Sequence, residues 1–146
     1  MIIGTGVDVV NIDRFRDIIA RNPGFVQRVF VAHEQTRPLR SLAARFAVKE
    51  AVAKALGAPD GMVWQHCWVT NGIHGAPEIT CTGTVAARAA ALGINRWHVS
   101  ITHDDPVAMA TVIAEHLSPA EFSLLYKLDP QPRGLVQDES DEQHAE

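Results

Sequence analysis

The chain has 146 residues, 47% hydrophobic and 21% charged: enough apolar material for one domain with a core, and nothing like a membrane span or a leader sequence. A net charge of −4 conceals an asymmetry, with nine Lys/Arg against five Asp/Glu up to Ala58 and four against twelve from Pro59 onward. The basic front half suits an anionic ligand or acidic partner, no aromatic-interleaved basic strand supports nucleic acid, and a cytoplasmic location is expected.

Residues 1–10, Met-Ile-Ile-Gly-Thr-Gly-Val-Asp-Val-Val, read as a strand with a single charge, Asp8. A carboxylate among valines is costly unless it is paired, caps the next helix or coordinates a metal. Gly4 and Gly6 leave room for another backbone or a ligand. Asn11 can cap a helix running to about Arg21, with Ile12, Phe15, Ile18 and Ile19 as its buried stripe and Asn22-Pro23-Gly24 as its stop. Arg14 and Arg21, seven apart, share one side of it. Residues 25–30 suit a short helical turn, and Val31-Ala-His33-Glu34 then leads through a short link.

Arg45-Phe-Ala-Val-Lys49-Glu50-Ala-Val-Ala-Lys54-Ala-Leu-Gly57 predicts a helix, capped at Ser41 and stopped at Gly57. At about 100° per residue, Ala47, Val48, Ala51, Val52 and Ala55 fall on one arc and Arg45, Lys49, Glu50 and Lys54 on the opposite half. Periodicity alone makes this an ordinary surface helix with a Glu50–Lys54 pair four apart.

Ala58-Pro-Asp-Gly61 is a turn, and residues 64–69 and 78–81 predict two strands joined by the glycine-rich loop Asn71-Gly-Ile-His74-Gly-Ala76-Pro77, as in a hairpin. Cys67 and Cys81 fall in these strands at no metal-ligand spacing and read as buried free thiols. Residues 84–92 predict an alanine-rich helix ended by Gly93. Residues 97–103 alternate as a strand with Trp97, Val99, Ile101 and His103 on one face, and Asp104-Asp105-Pro106 turns into an antiparallel partner at 108–114. Ser118-Pro119-Ala120-Glu121 is a capping box opening a helix to about Lys127, and the acidic, proline-containing residues from 129 predict a flexible tail. This order of elements makes an α+β domain with an antiparallel sheet and packed helices. It divides the chain into a domain over 1–118, a short helix over 119–128 and an acidic tail over 129–146.

Three segments say more than their periodicity. Gly4-Thr-Gly6-Val-Asp8-Val-Val10, the Arg45 to Gly57 stretch, and His98-Val-Ser100-Ile-Thr-His103 closely resemble, in order, the signatures of the phosphopantetheinyl transferases. Among these the chain is most similar to the small bacterial holo-acyl-carrier-protein synthase type, over residues 1–116. The resemblance implies transfer of 4′-phosphopantetheine from coenzyme A to a serine of an acidic acyl carrier protein, or of a carrier domain of a fatty acid synthase, with release of adenosine 3′,5′-bisphosphate. It implies a homotrimer with sites at subunit boundaries. It also implies Asp8 and Glu50 as ligands of Mg2+, which prefers such hard oxygen donors. Glu50, Lys54 and His103 become the catalytic set, with Glu50 taking the serine proton directly or through water. Arg45, Lys49, Lys54, Ser100 and His103 become coenzyme A contacts, and Arg14 and Arg21 the carrier-docking residues.

The chain departs from the family pattern twice. It lacks the Thr-Pro-x-Glu element and longer insertion before the central helix, and Ala76 stands where a loop lysine is frequent, so the chain either does without that contact or uses His74. The residues alone also leave open a binding module without transfer and a magnesium-dependent nucleotide hydrolase.

Overall fold

Two glycines set how closely the central helix lies on the sheet. In the computed structural model, which describes residues 1–136, a Cβ on Gly6 would stand 1.8 Å from the carbonyl oxygen of Ala51, and one on Gly4 would stand 2.1 Å from that of Ala55. Any side chain there would push strand β1 (Ile2–Asn11) off helix α4 (Leu39–Ala55). The room left by these glycines is filled by another backbone.

β1 pairs antiparallel with β5 (Val107–Glu115), and β5 with β4 (Arg96–Asp104), giving the order β1-β5-β4. Strand alternation sends Ala108, Ala110, Val112 and Ala114 of the middle strand toward α4, all buried, and small side chains let the helix come close. The same alternation turns Val7, Val9 and Ile113 to the outer face, where Val9 is 57% exposed. β2 (Cys67–Asn71) and β3 (Pro77–Cys81) form the expected hairpin beside this sheet. Cys67 and Cys81 face each other across it as free thiols, the first buried and the second half-buried.

Helix α1 (Ile12–Arg21) starts where expected, the Asn11 side chain accepting the Arg14 N–H at 3.0 Å. Ile12 and Phe15 are buried and Ile19 packs against the core, but Ile18 is exposed. Phe15 stacks on Phe46 at 5.4 Å and meets Phe25 and Phe30 edge-on. Helices α2 (Phe25–Val29) and α3 (Ala32–Gln35) complete the link to α4.

α4 begins earlier than Ser41, after Pro38, and its predicted apolar arc is buried throughout. Its predicted charged arc is divided: Arg45 and Lys49 are buried with the core, and Lys54 lies outside. Residues 64–66, expected to open a strand, form a 3-10 turn instead. The Lys49 ammonium donates to the carbonyls of Trp64 and Cys67, at the two ends of this turn.

Helix α5 (Gly83–Ala91) packs Val85 and Ala89 inward, and α6 (Pro119–Leu128) opens on the predicted capping box, the Ser118 N–H donating to Glu121 Oε2 at 2.7 Å. Beyond it, the Trp97 N–H donates to the Gly134 carbonyl at 2.7 Å and the Val136 N–H to the Asn95 carbonyl at 3.0 Å, so residues 133–136 run along β4. The rest of the expected tail, 137–146, lies outside the described residues.

Candidate active site

Asp8 points from β1 toward α4, beside Glu50 and Lys54. The Lys54 ammonium donates to Asp8 Oδ1 at 2.9 Å and to the Val7 carbonyl at 2.7 Å. Glu50, although four residues from Lys54, makes no ion pair or hydrogen bond among the described residues. Its carboxyl is half-buried and pushed above the usual carboxylate range, by burial first and the Asp8 charge second, with Lys54 acting in the opposite sense. Both carboxylates border a 380 Å³ hollow shared with Arg14, Phe15, Ile18 and Phe46.

A larger cavity of 860 Å³ opens between the start of α4, the hairpin and the end of β4; Arg45, Ser41, Asn71, His103, Arg16 and Arg40 are among its walls. Arg45 is held on several sides: Nη1 donates to Ser41 Oγ, Nη2 to Asn71 Oδ1 at 3.3 Å, and Nε faces Glu34 Oε2 at 3.7 Å. Burial above all, then the charge of Arg37, lowers its pKa, and Glu34 opposes them. Arg40 pairs with Asp105 at 2.6 Å on the rim.

The two groups of side chains are separate within one chain. Asp8 is aligned with Ala110 and Ile101 across the sheet, and His103 with Ala108 and Val10, so the two residues share a face but lie two strands and two residues apart. That is roughly 12 Å at ordinary strand spacings.

A family model, that of the 4′-phosphopantetheinyl transferase superfamily, matches residues 4–112. The chain belongs to that superfamily. It is 58% identical over 115 residues to the holo-[acyl-carrier-protein] synthase of Kocuria rhizophila, covering 79% of this chain and 94% of that one. It is 54% identical over 125 residues to the synthase of the same name in Micrococcus luteus, covering 84% and 99%. In three dimensions it is similar to the holo-[acyl-carrier-protein] synthase of Neisseria meningitidis, with a TM-score of 0.71, 28% identity, and 79% and 99% coverage. The synthase of Helicobacter pylori in complex with coenzyme A is similar at a TM-score of 0.66, with 26% identity and 76% and 99% coverage. These relationships make the chain an enzyme of the holo-[acyl-carrier-protein] synthase kind, a transferase with the expected α+β fold.

Two expected coenzyme A contacts of this transferase are placed elsewhere. Lys49 is fully enclosed: its ammonium sits 3.0 Å from Glu34 Oε1 and 5.5 Å from the centroid of Phe30, with the Trp64 and Cys67 carbonyls as further acceptors. No surface of it meets a ligand. Ser100 is exposed, but three residues from His103 in a strand means the opposite face, so it turns away from the cavity that His103 lines. His74, on the hairpin turn, is not among the walls of that cavity, whereas its neighbour Gly75 is. Arg14 and Arg21 are both exposed, and Arg14 borders the Asp8–Glu50 hollow.

Glu34 and Asn71 are the residues that sequence reasoning did not place at the site. Glu34 is completely buried and accepts from Lys49, from the Val31 N–H at 3.3 Å and from the Val69 N–H at 3.5 Å. A lone acid on a short segment carries no periodic signal. Asn71, at the mouth of a glycine-rich turn, had the visible signal of a loop motif.

Proposed function

We propose that this transferase moves 4′-phosphopantetheine from coenzyme A to a serine of an acyl carrier protein for fatty acid synthesis, with Mg2+, releasing adenosine 3′,5′-bisphosphate. The observation that carries the reading is the half-buried Glu50 carboxylate, without an ion pair or hydrogen bond among the described residues, beside the Asp8–Lys54 pair. Two neighbouring carboxylates, one held above its usual pKa by burial and by the other, are relieved by a hard divalent cation. The residues present fit magnesium, which needs only one or two protein carboxylates when a substrate phosphate completes its shell. No group of three or more potential metal ligands occurs among the described residues. When bound, the metal would screen the charge of the coenzyme A pyrophosphate.

The chain's own side chains supply the remaining chemistry. Glu50, whose half-buried carboxylate is a stronger proton acceptor than an exposed one, takes the proton from the carrier serine as that oxygen bonds to the β-phosphorus. The bond from that phosphorus to the bridging oxygen breaks, and the bridging oxygen leaves on adenosine 3′,5′-bisphosphate. Lys54, about half exposed and able to exchange Asp8 for phosphate, stabilises charge on the transferring group. Arg45 and His103 hold coenzyme A phosphates in the larger cavity; Lys49, enclosed with Glu34, does not touch them, and Ser100, on the outer face of the sheet with Val7, would meet coenzyme A only at a boundary between copies. Arg14 and Arg21 receive the acidic carrier, and Arg14 stands next to the carboxylates where a docked serine must arrive.

One chain presents the Asp8 group and the His103 group separately, and its sheet turns Val7 and Val9 outward. Both features suit a homotrimer whose sites combine the Asp8 group of one copy with the His103 group of the next.

The test is the intact mass of an apo acyl carrier protein after incubation with the transferase, coenzyme A and magnesium, alongside a chelator control. A gain of one phosphopantetheine that disappears with chelator is expected. Unchanged carriers in the presence of measurable coenzyme A binding would replace this reading with a non-catalytic binding module.

A further inference from the structure

Three charges are enclosed where α3, α4 and β2 meet. Glu34 and Lys49 are 0% exposed and Arg45 is 6% exposed. Such burial is costly for any ion that lacks a partner. Glu34 spends its two oxygens unequally: Oε1 lies 3.0 Å from the Lys49 ammonium and accepts the Val31 N–H, whereas Oε2 accepts the Val69 N–H and stays 3.7 Å from Arg45 Nε. That distance is longer than a hydrogen bond, and Arg45 Nε has no hydrogen-bond partner among the described residues.

Counting charge within the enclosure gives one negative against two positive groups. Lys49 cancels Glu34, because its ammonium is the nearer cation and all its other acceptors are neutral carbonyls. The surplus positive charge therefore resides on Arg45, whose Nη atoms reach Ser41 and Asn71, both walls of the 860 Å³ cavity. Arg37, another positive charge near it, is exposed and screened by solvent.

We infer that Glu34 and Lys49 form a positioning pair: Lys49 neutralises Glu34 so that Arg45, aimed by Ser41 and Asn71, keeps its full charge for an anionic group of coenzyme A. The inference rests on the proposed function for the identity of the anion. Lys49 acts here without touching the ligand. Removing it alone leaves Glu34 to cancel Arg45, and removing both leaves Arg45 charged.

This sign pattern separates positioning from simple structural support, which would worsen as more of the network is lost. Coenzyme A affinity is measured by calorimetry for the unsubstituted chain, K49M, R45M, E34Q/K49M and E34Q/K49M/R45M. Thermal melting checks folding, and carrier modification is followed in parallel. K49M should weaken coenzyme A binding about tenfold, as expected when a charge-assisted contact is neutralised. E34Q/K49M should return to within about threefold of the unsubstituted chain, while kcat for the carrier varies less than affinity does. Replacing a buried ion pair by neutral residues of similar shape is well tolerated, so the double variant decides the matter even where K49M fails to fold. In that case, retained affinity in E34Q/K49M that is lost on adding R45M supports the inference. A folded K49M with undiminished affinity overturns it, as does a folded E34Q/K49M no tighter than R45M. Because binding is read directly, an unsubstituted chain that binds coenzyme A but modifies no carrier would sink the transfer reading while leaving this series decisive. Absence of coenzyme A binding would sink both.

Discussion

Glu50 is the residue at which function and stability pull in opposite directions. Its folded-state pKa is raised, so the folded chain holds the proton more tightly than the unfolded chain does. The sign follows: this group's contribution to stability is gained as pH falls through the folded pKa and lost as pH rises above it. At neutral pH, without divalent metal, Glu50 is therefore a liability. Replacing it by Gln should raise the melting temperature at pH 7 by about 1–2 °C, a modest value because the side chain is half exposed and screened. The gain should shrink as the pH is lowered into the carboxylate range. The same variant should lose at least about a hundredfold in carrier modification, as expected for removal of a general base. Calorimetric melts across pH and the mass-shift assay check the two halves; a melting temperature that falls instead would show that Glu50 is held by a favourable contact.

At the scale of elements, the contact between β1 and α4 carries the fold, and it depends on two absent side chains. Gly6→Ala would place a Cβ against the Ala51 carbonyl, a backbone atom that cannot swing aside. It should destabilise by about 3 kcal/mol, the upper end for overpacking, and lower the denaturation midpoint without changing the m-value. A neutral effect would mean that strand and helix separate more easily than this packing allows. Much of this architecture was legible in the sequence. Asn11 as cap, the alanine arc of α4, the hairpin and the alternation of β4 all rest on local patterns that burial then obeys. Periodicity failed at Lys49 and Arg45, which it assigned to a solvent-facing arc, because the acid that holds them belongs to α3, outside the pattern of their own helix. Similarity of motif also grouped Ser100 with His103, although alternation alone places them on opposite faces.

At the scale of the molecule, the division of the site can be tested without determining an assembly. Asp8→Ala and His103→Ala should each be inactive alone, since each removes one half of every site. Coexpressed in equal amounts, they should recover about a quarter of the unsubstituted activity, because one neighbouring pair in four then joins an intact Asp8 to an intact His103. Recovery of nothing after verified mixing of chains would place both residues in the site of a single chain.

The segment 133–136 has a consequence for how copies can meet. A free strand edge offers unpaired amides and carbonyls to any extended chain, and edges left open invite aggregation. Here the Trp97 amide and the Asn95 carbonyl are already engaged by the chain's own C-terminal residues. Strand addition at that end of β4 is blocked from within, whereas the outer face of the sheet, with Val7 and Val9, stays exposed. A protease that cut before Arg133 would remove a guard against indiscriminate pairing while sparing every residue assigned to chemistry.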